Sequence, residues 1–179
     1  AWDVLHPPVS PRQQAYLDAC NLLRPLPKGE RERELERLRA SAGGKALARE
    51  LFRGLTEDEL RGLELPGLLD IGGHTRSHAQ LSRLPVEQQR EEIQGGEQLL
   101  ARCLGHGVET FSYPFGTSAD FTSQTAELAR EAGFRVACAN YPDFAQVETD
   151  RMALPRCIVR NWDAPTFAAQ LDRWRAWQF

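Results

Sequence analysis

No stretch of the sequence approaches the roughly 20 consecutive apolar residues that a membrane-spanning helix needs, so no span is expected. Cysteine is sparse and scattered. Cys20, Cys103, Cys138 and Cys157 contain no C-x-x-C pair, which argues against a zinc ribbon or a thioredoxin-type redox centre. Small buried thiols of a reducing compartment are expected, with a disulfide as the alternative. Neither sign of charge is in surplus: 22 Lys+Arg stand against 25 Asp+Glu, and the most charged stretch, from Lys28 to Glu64, interleaves Glu with Arg. Tracking a phosphate backbone needs cations gathered on one face, so nucleic acid is not an expected partner. The first residues, Ala1-Trp2-Asp3-Val4, have neither the basic start nor the apolar core of a secretory signal. The compartment stays open on that ground, with a bacterial cytoplasm expected ahead of secretion and any leader lying outside this sequence.

What the sequence does have is enough for a core: 179 residues, 41% of them hydrophobic and 26% charged, suit a globular domain or part of a larger one. Its character changes near Leu65-Pro66. Residues 1–64 read as mainly helical. Pro11, Ala15, Ala19 and Leu22 predict one helix that stops around Pro25 and Pro27, and Leu35, Leu38, Ala42, Leu47, Leu51 and Leu55 predict a second with a break at Gly43-Gly44. Thr56-Glu57-Asp58-Glu59 matches a capping box, which gives that acidic run a structural task.

Residues 65–179 alternate short apolar runs with helical patterns, the signature of β-α units and a mainly parallel sheet. Strands are predicted at Leu68 to Ile71, Thr110 to Tyr113, Phe134 to Ala139 and Cys157 to Val159. Helices are predicted after Pro85, with a stripe of Val86, Ile93, Leu100 and Leu104, and from Thr122 to Ala132. A last amphipathic helix, capped near Asp163, is expected to bury Phe167, Leu171 and Trp174. Of the other tryptophans, Trp2, Trp162 and Trp177, none can be assigned to core or to sugar stacking from its neighbours.

Candidate chemistry gathers in Ile71-Gly72-Gly73-His74-Thr75-Arg76-Ser77-His78, directly after a predicted strand. In a parallel sheet the carboxyl edge is where ligand sites collect. Placed on one helical turn, residues four apart would let two imidazoles converge on one metal ion. The same spacing also describes two surface histidines, so both readings stay open at this point. His106, between two glycines at a helix end, reads as a capping residue, and His6 beside Pro7-Pro8 as loop.

The order of motifs adds to this: the histidine segment, then Phe111-Ser112-Tyr113-Pro114-Phe115-Gly116, then Ala132-Gly133-Phe134, then Leu154-Pro155-Arg156. It resembles the polysaccharide deacetylases of carbohydrate esterase family four over about two-thirds of the chain. The resemblance implies an α/β fold, an irregular (β/α) barrel truncated at its N-terminal side, with a helical insertion before residue 56. It implies a divalent metal, usually zinc, held by His74 and His78, and hydrolysis of N-acetyl groups on an amino-sugar polysaccharide or oligosaccharide. It also implies a substrate groove at Tyr113, Pro114 and Phe115, with the Phe115 backbone amide helping to hold an oxyanion, and it offers Arg156 as a further substrate-side residue.

The departures are equally specific. The family's Asp-Asp-Gly motif, which supplies the catalytic base and a third metal ligand, is absent, and no Asp-Asp pair exists in the sequence. Ser112 stands where the family has an arginine that orients the base. No histidine follows residue 106 to serve as the family's general acid. Catalytic base and acid are thus unassigned. The sequence is expected to carry the later part of the domain, inactive by itself and prone to self-association through uncovered strand edges. The alternative is a catalytically inactive carbohydrate-binding or scaffold domain on the same fold.

Overall fold

The computed structural model describes residues 6–44 and 53–176. Helix α1, Pro11–Leu23, starts where the sequence predicts: Ser10 accepts a hydrogen bond from the Gln13 amide, and Pro11 sits in the first turn. Helix α2, Lys28–Ser41, buries none of its residues, as its mixed charges dictate. The expected continuation through Leu47 and Leu51 lies outside the described residues. Helix α3, Glu57–Glu64, has the predicted capping box, with Thr56 and Glu59 exchanging bonds.

The remaining elements are α4 Val86–Leu104, β1 Thr110–Ser112, α5 Ser123–Glu131, β2 Val136–Cys138 and α6 Ala164–Ala176. Helix α4 ends at Gly105, whose φ of +84° closes it in the left-handed region. Strands β1 and β2 pair in parallel, Phe111 opposite Ala137. Each outer side adds a single parallel rung. On one side the Gly73 amide donates to Thr110 O at 2.8 Å and the Ser112 amide to Gly73 O at 2.9 Å; on the other Leu154 bridges Cys138. Four parallel segments therefore lie side by side, an α/β arrangement whose crossovers are α4 and α5. Between helices and sheet lies the core of Leu81, Ile93, Phe111, Leu128, Phe134 and Met152, all buried.

Four expectations are corrected. Leu68 to Ile71 forms no strand: Leu68 is 85% exposed, and pairing starts two residues later, where glycines allow close approach. A Cβ on Gly73 would lie 2.6 Å from the Phe134 ring, and one on Gly72 would lie 2.5 Å from Thr110 Oγ1. Cys157 to Val159 is also not a strand. The rung on β2 is made by Leu154; beyond it the Arg156 amide donates to Tyr141 O, and Ala139 O accepts from Arg156 Nε instead, so the ladder goes no further. Helix α6 buries none of its residues; Phe167 is exposed and Trp174 packs against Trp162, ring centroids 6.1 Å apart, instead of entering the core. The cysteines are free thiols, Cys20 exposed and the other three half-buried, so burial was overestimated from their apolar neighbours. Among the described residues no helix is long and apolar enough to cross a membrane.

Ile93 is fully buried where α4 meets the sheet. Ile93→Ala is expected to lower the unfolding free energy by about 2–5 kcal/mol in urea denaturation; a loss below about 1 kcal/mol would show that α4 does not anchor the core.

Candidate active site

The residues predicted from sequence emerge at the carboxyl ends of three of the four parallel segments: His74 and then His78 follow the Gly73 rung, Tyr113 to Phe115 follow β1, and Arg156 follows the Leu154 rung; Asn140, which was not foreseen, follows β2. A cavity of about 450 Å³ opens there, lined by His74, Ser112, Phe115, Asn140 and Arg156 among others.

The two histidines come together, though not on a helical turn. Their ring centroids are 4.8 Å apart and the rings stand edge to face. The backbone between them is a loop in which Thr75 has φ +62° and His78 φ +56°. His74 Nδ1 lies 2.6 Å from Ser112 O. A carbonyl oxygen only accepts, so Nδ1 carries the proton and Nε2 keeps its lone pair free, the arrangement by which a ligating histidine is oriented. His78 is tied through its amide, which donates to Thr75 Oγ1 at 3.0 Å. Desolvation lowers the His78 pKa below the ordinary histidine value, with the His74 ring and the Arg31 and Arg24 guanidiniums adding to it; hydrogen bonding of its backbone opposes them. A neutral ring is the metal-binding form.

Phe115 is the third non-glycine residue with positive φ, at +61°, and among the described residues these three are all at the site. Such backbone costs on the order of 1–3 kcal/mol per residue and clusters where function demands it. Here the strain is held by a tight turn. Gly116 N donates to Pro114 O at 2.7 Å, Asn140 N donates to Gly116 O at 2.7 Å, and Asn140 Nδ2 donates to Phe115 O at 3.1 Å. Among the described residues the Phe115 amide has no hydrogen-bond partner. The Phe115 ring meets His78 edge to face at 4.8 Å. Tyr113 and Pro114 are both buried, and Tyr113 is among the residues that line the cavity. The Tyr113 ring stacks on Phe121, its hydroxyl donates to Met152 O at 2.8 Å, and burial pushes its phenol well above the usual range. Arg156 donates from Nε to Ala139 O at 2.7 Å and reaches the same cavity as His74.

Several contributors were not foreseen. Arg24, at the end of α1, lies over the Phe115 ring at 4.0 Å and pairs with buried Asp120. Arg31, on α2, donates to the carbonyls of Ser77 and His78. Glu92, on α4, binds the loop between the histidines. These contacts span large sequence separations and leave no local pattern; only Gly95-Gly96 inside a helix, at a cost of about 1 kcal/mol each against Ala, hinted that something approaches α4 closely. His106 bonds Glu64 and Gly107 O away from the cavity.

Two accessible imidazoles, one with its tautomer set, fit two of the three protein ligands of a catalytic zinc. Among the described residues no group of three His, Cys, Asp or Glu side chains could complete it.

Two outcomes follow. In long-range proton–nitrogen spectra His74 is expected as the Nδ1–H tautomer, and His78 is expected to titrate below the ordinary histidine midpoint; a normal midpoint with no tautomer preference would contradict this geometry. Burial alone would raise the Asp120 pKa, but bonds from Thr117 and Arg24 outweigh it and leave it below the usual carboxylate value. Its contribution is therefore fully present above the unfolded carboxyl value near pH ~4 and is lost as pH falls through the lower folded value. Asp120→Asn should destabilise at pH 7 and flatten the acid limb of a stability profile; parallel profiles would contradict it.

Known proteins share the α/β fold and identify the family. The family model described as polysaccharide deacetylase matches residues 28–137. YxkH of Bacillus subtilis, which bears a polysaccharide deacetylase name, is 26% identical over 105 residues, 59% of this chain and 36% of its own length. Among solved structures, the Streptococcus pyogenes deacetylase PplD superposes with TM-score 0.59 at 18% identity, covering 66% of this chain and 51% of PplD. A polysaccharide deacetylase from Bacillus cereus gives 0.58 at 19%, covering 68% and 38%. The chain thus spans little more than a third to a half of these relatives. With the family model matched across more than half of its length, the chain belongs to the polysaccharide deacetylase family.

Proposed function

We propose that this chain carries the histidine half of a metal-dependent site that removes N-acetyl groups from an amino-sugar polysaccharide or oligosaccharide. One observation carries the reading: two accessible imidazoles face each other at the carboxyl edge of a parallel sheet, with the His74 Nδ1 proton already committed to a carbonyl. The missing carboxylates, a third ligand and the catalytic base, would come from an Asp-Asp-Gly segment of a longer chain. In the same reading residues 65–179 form the later part of an irregular (β/α) barrel, and residues 1–64 a helical lead-in. Bare apolar side chains such as Leu65 and Leu68 favour self-association of the piece.

A bound divalent metal, most simply zinc, supplies Lewis acidity toward an acetamide carbonyl and a water acidified toward neutral pH. The chain's own residues have separate tasks. His74 and His78 hold the metal as neutral rings. Phe115 borders the sugar with its ring, and its unpaired amide is available to a developing oxyanion. Tyr113 and Pro114 support substrate binding from below by holding Phe115, and Arg156 contacts substrate from the cavity wall. A second reading, a carbohydrate-binding domain without chemistry, is favoured by Ser112 in the arginine position and by the absence of a carboxylate cluster among the described residues. The upstream reading frame separates the two: an Asp-Asp-Gly after a hydrophobic strand supports the enzyme.

The test is acetate release from N-acetylglucosamine oligomers by the protein that includes its upstream segment, with zinc added. Activity is expected, with His74→Ala and His78→Ala each lowering it by at least the 10–100-fold that even outer metal partners cost. No release with both histidines intact would overturn the enzymatic reading.

A further inference from the structure

We infer that Glu92 is the positioning residue of the histidine loop: from helix α4 its carboxylate fixes the backbone between His74 and His78 and so sets how the two imidazoles face each other. This rests on reading those histidines as metal ligands. A single side chain satisfies three donors of the loop. Oε2 accepts from the Arg76 amide at 3.1 Å and the Ser77 amide at 2.8 Å, and Oε1 accepts from Ser77 Oγ at 2.6 Å. Charge-assisted bonds to an ionised carboxylate are roughly twice as strong as neutral ones, and these three are spent on two adjacent residues.

One turn further along α4, Gly96 brings the helix backbone against the same loop. A Cβ there would lie 2.9 Å from the Thr75 carbonyl carbon and 3.2 Å from the Arg76 amide nitrogen. Glu92 and Gly96 are four residues apart on one helix face, so together they make a seat: the glycine lets the loop in and the carboxylate holds it down. The loop needs holding. Thr75 and His78 flank the seated residues, and both carry positive φ, which a loop released from α4 would relax. Relaxation would turn the His78 ring away from His74, whose own ring is held independently by Ser112 O. Glu92 touches neither ring; it acts through the backbone.

The test uses the 179-residue chain and zinc alone, measured by competition with a chromophoric chelator, beside ring-nitrogen spectra of the metal-free protein and its thermal unfolding. Glu92→Ala is expected to weaken zinc binding 10–100-fold and to shift the His78 ring signals, while the His74 tautomer persists. Glu92→Gln keeps an acceptor oxygen without the charge and should fall between Glu92→Ala and wild type, which also covers the case in which the alanine variant fails to fold. Gly96→Ala should reproduce the ring shift without touching the carboxylate. Glu91→Gln, an exposed neighbour, serves as the control expected to change nothing. Folded Glu92 variants with wild-type zinc affinity and unmoved His78 signals would overturn the inference. If the wild-type chain holds no zinc, the ligand reading fails, and the ring signals of the metal-free chain still decide the role of Glu92.

Discussion

The site depends on one rung of parallel pairing, the contact of Gly73 with β1. Through it the Gly73 amide and carbonyl bond Thr110 and Ser112, which places the next residue, His74, level with the Ser112 carbonyl. That carbonyl then holds the imidazole in one tautomer. A side chain at residue 73 would strike Phe134 and Phe111, so the rung exists because the residue is glycine. It also sends the following loop over α4, where Gly96 admits it and Glu92 receives its amides. Sheet register, helix packing and the orientation of the His74 ring are thus consequences of the same close approach.

Strain is concentrated where these supports are densest. The non-glycine residues with left-handed backbone among those described, Thr75, His78 and Phe115, are flanked by hydrogen bonds: the His78 amide donates to Thr75 Oγ1 within the loop, Arg31 donates from α2 to the Ser77 and His78 carbonyls, and Asn140 donates to Phe115 O. Helices α1 and α2 take part in this. Arg24 and Arg31 reach from α1 and α2 to the aromatic ring and the loop carbonyls beside the histidines, and Asp120, buried and bonded by Thr117 and Gln80, fixes Arg24 in place. The cationic surroundings also favour a neutral His78.

Helix boundaries were legible where they rest on local chemistry: Pro11 at the start of α1, Thr56 and Glu59 as a capping box, Gly105 as a left-handed stop; the caps at Ser10 and Thr122 were not read. The strands were legible only where an apolar run coincided with a full ladder. Leu68 to Ile71 and Cys157 to Val159 have strand composition, yet the pairing residues are Gly73, where only a residue without a side chain fits, and Leu154. The histidine pair was found from spacing, but its geometry was not. A helical turn was expected, and a loop held by distant residues produces the convergence instead. Glu92, Arg24 and Arg31 act across long separations in the chain, so no window of sequence contains both partners.

If His74 and His78 form one ligand pair, a single zinc ion must engage both rings, which zinc absorption-edge spectroscopy of the chain carrying one equivalent of zinc reads out. Two imidazole nitrogens at about 2.0–2.1 Å are predicted, one of them lost in His74→Ala. A spectrum without imidazole scattering, or one that the substitution leaves unchanged, would contradict it.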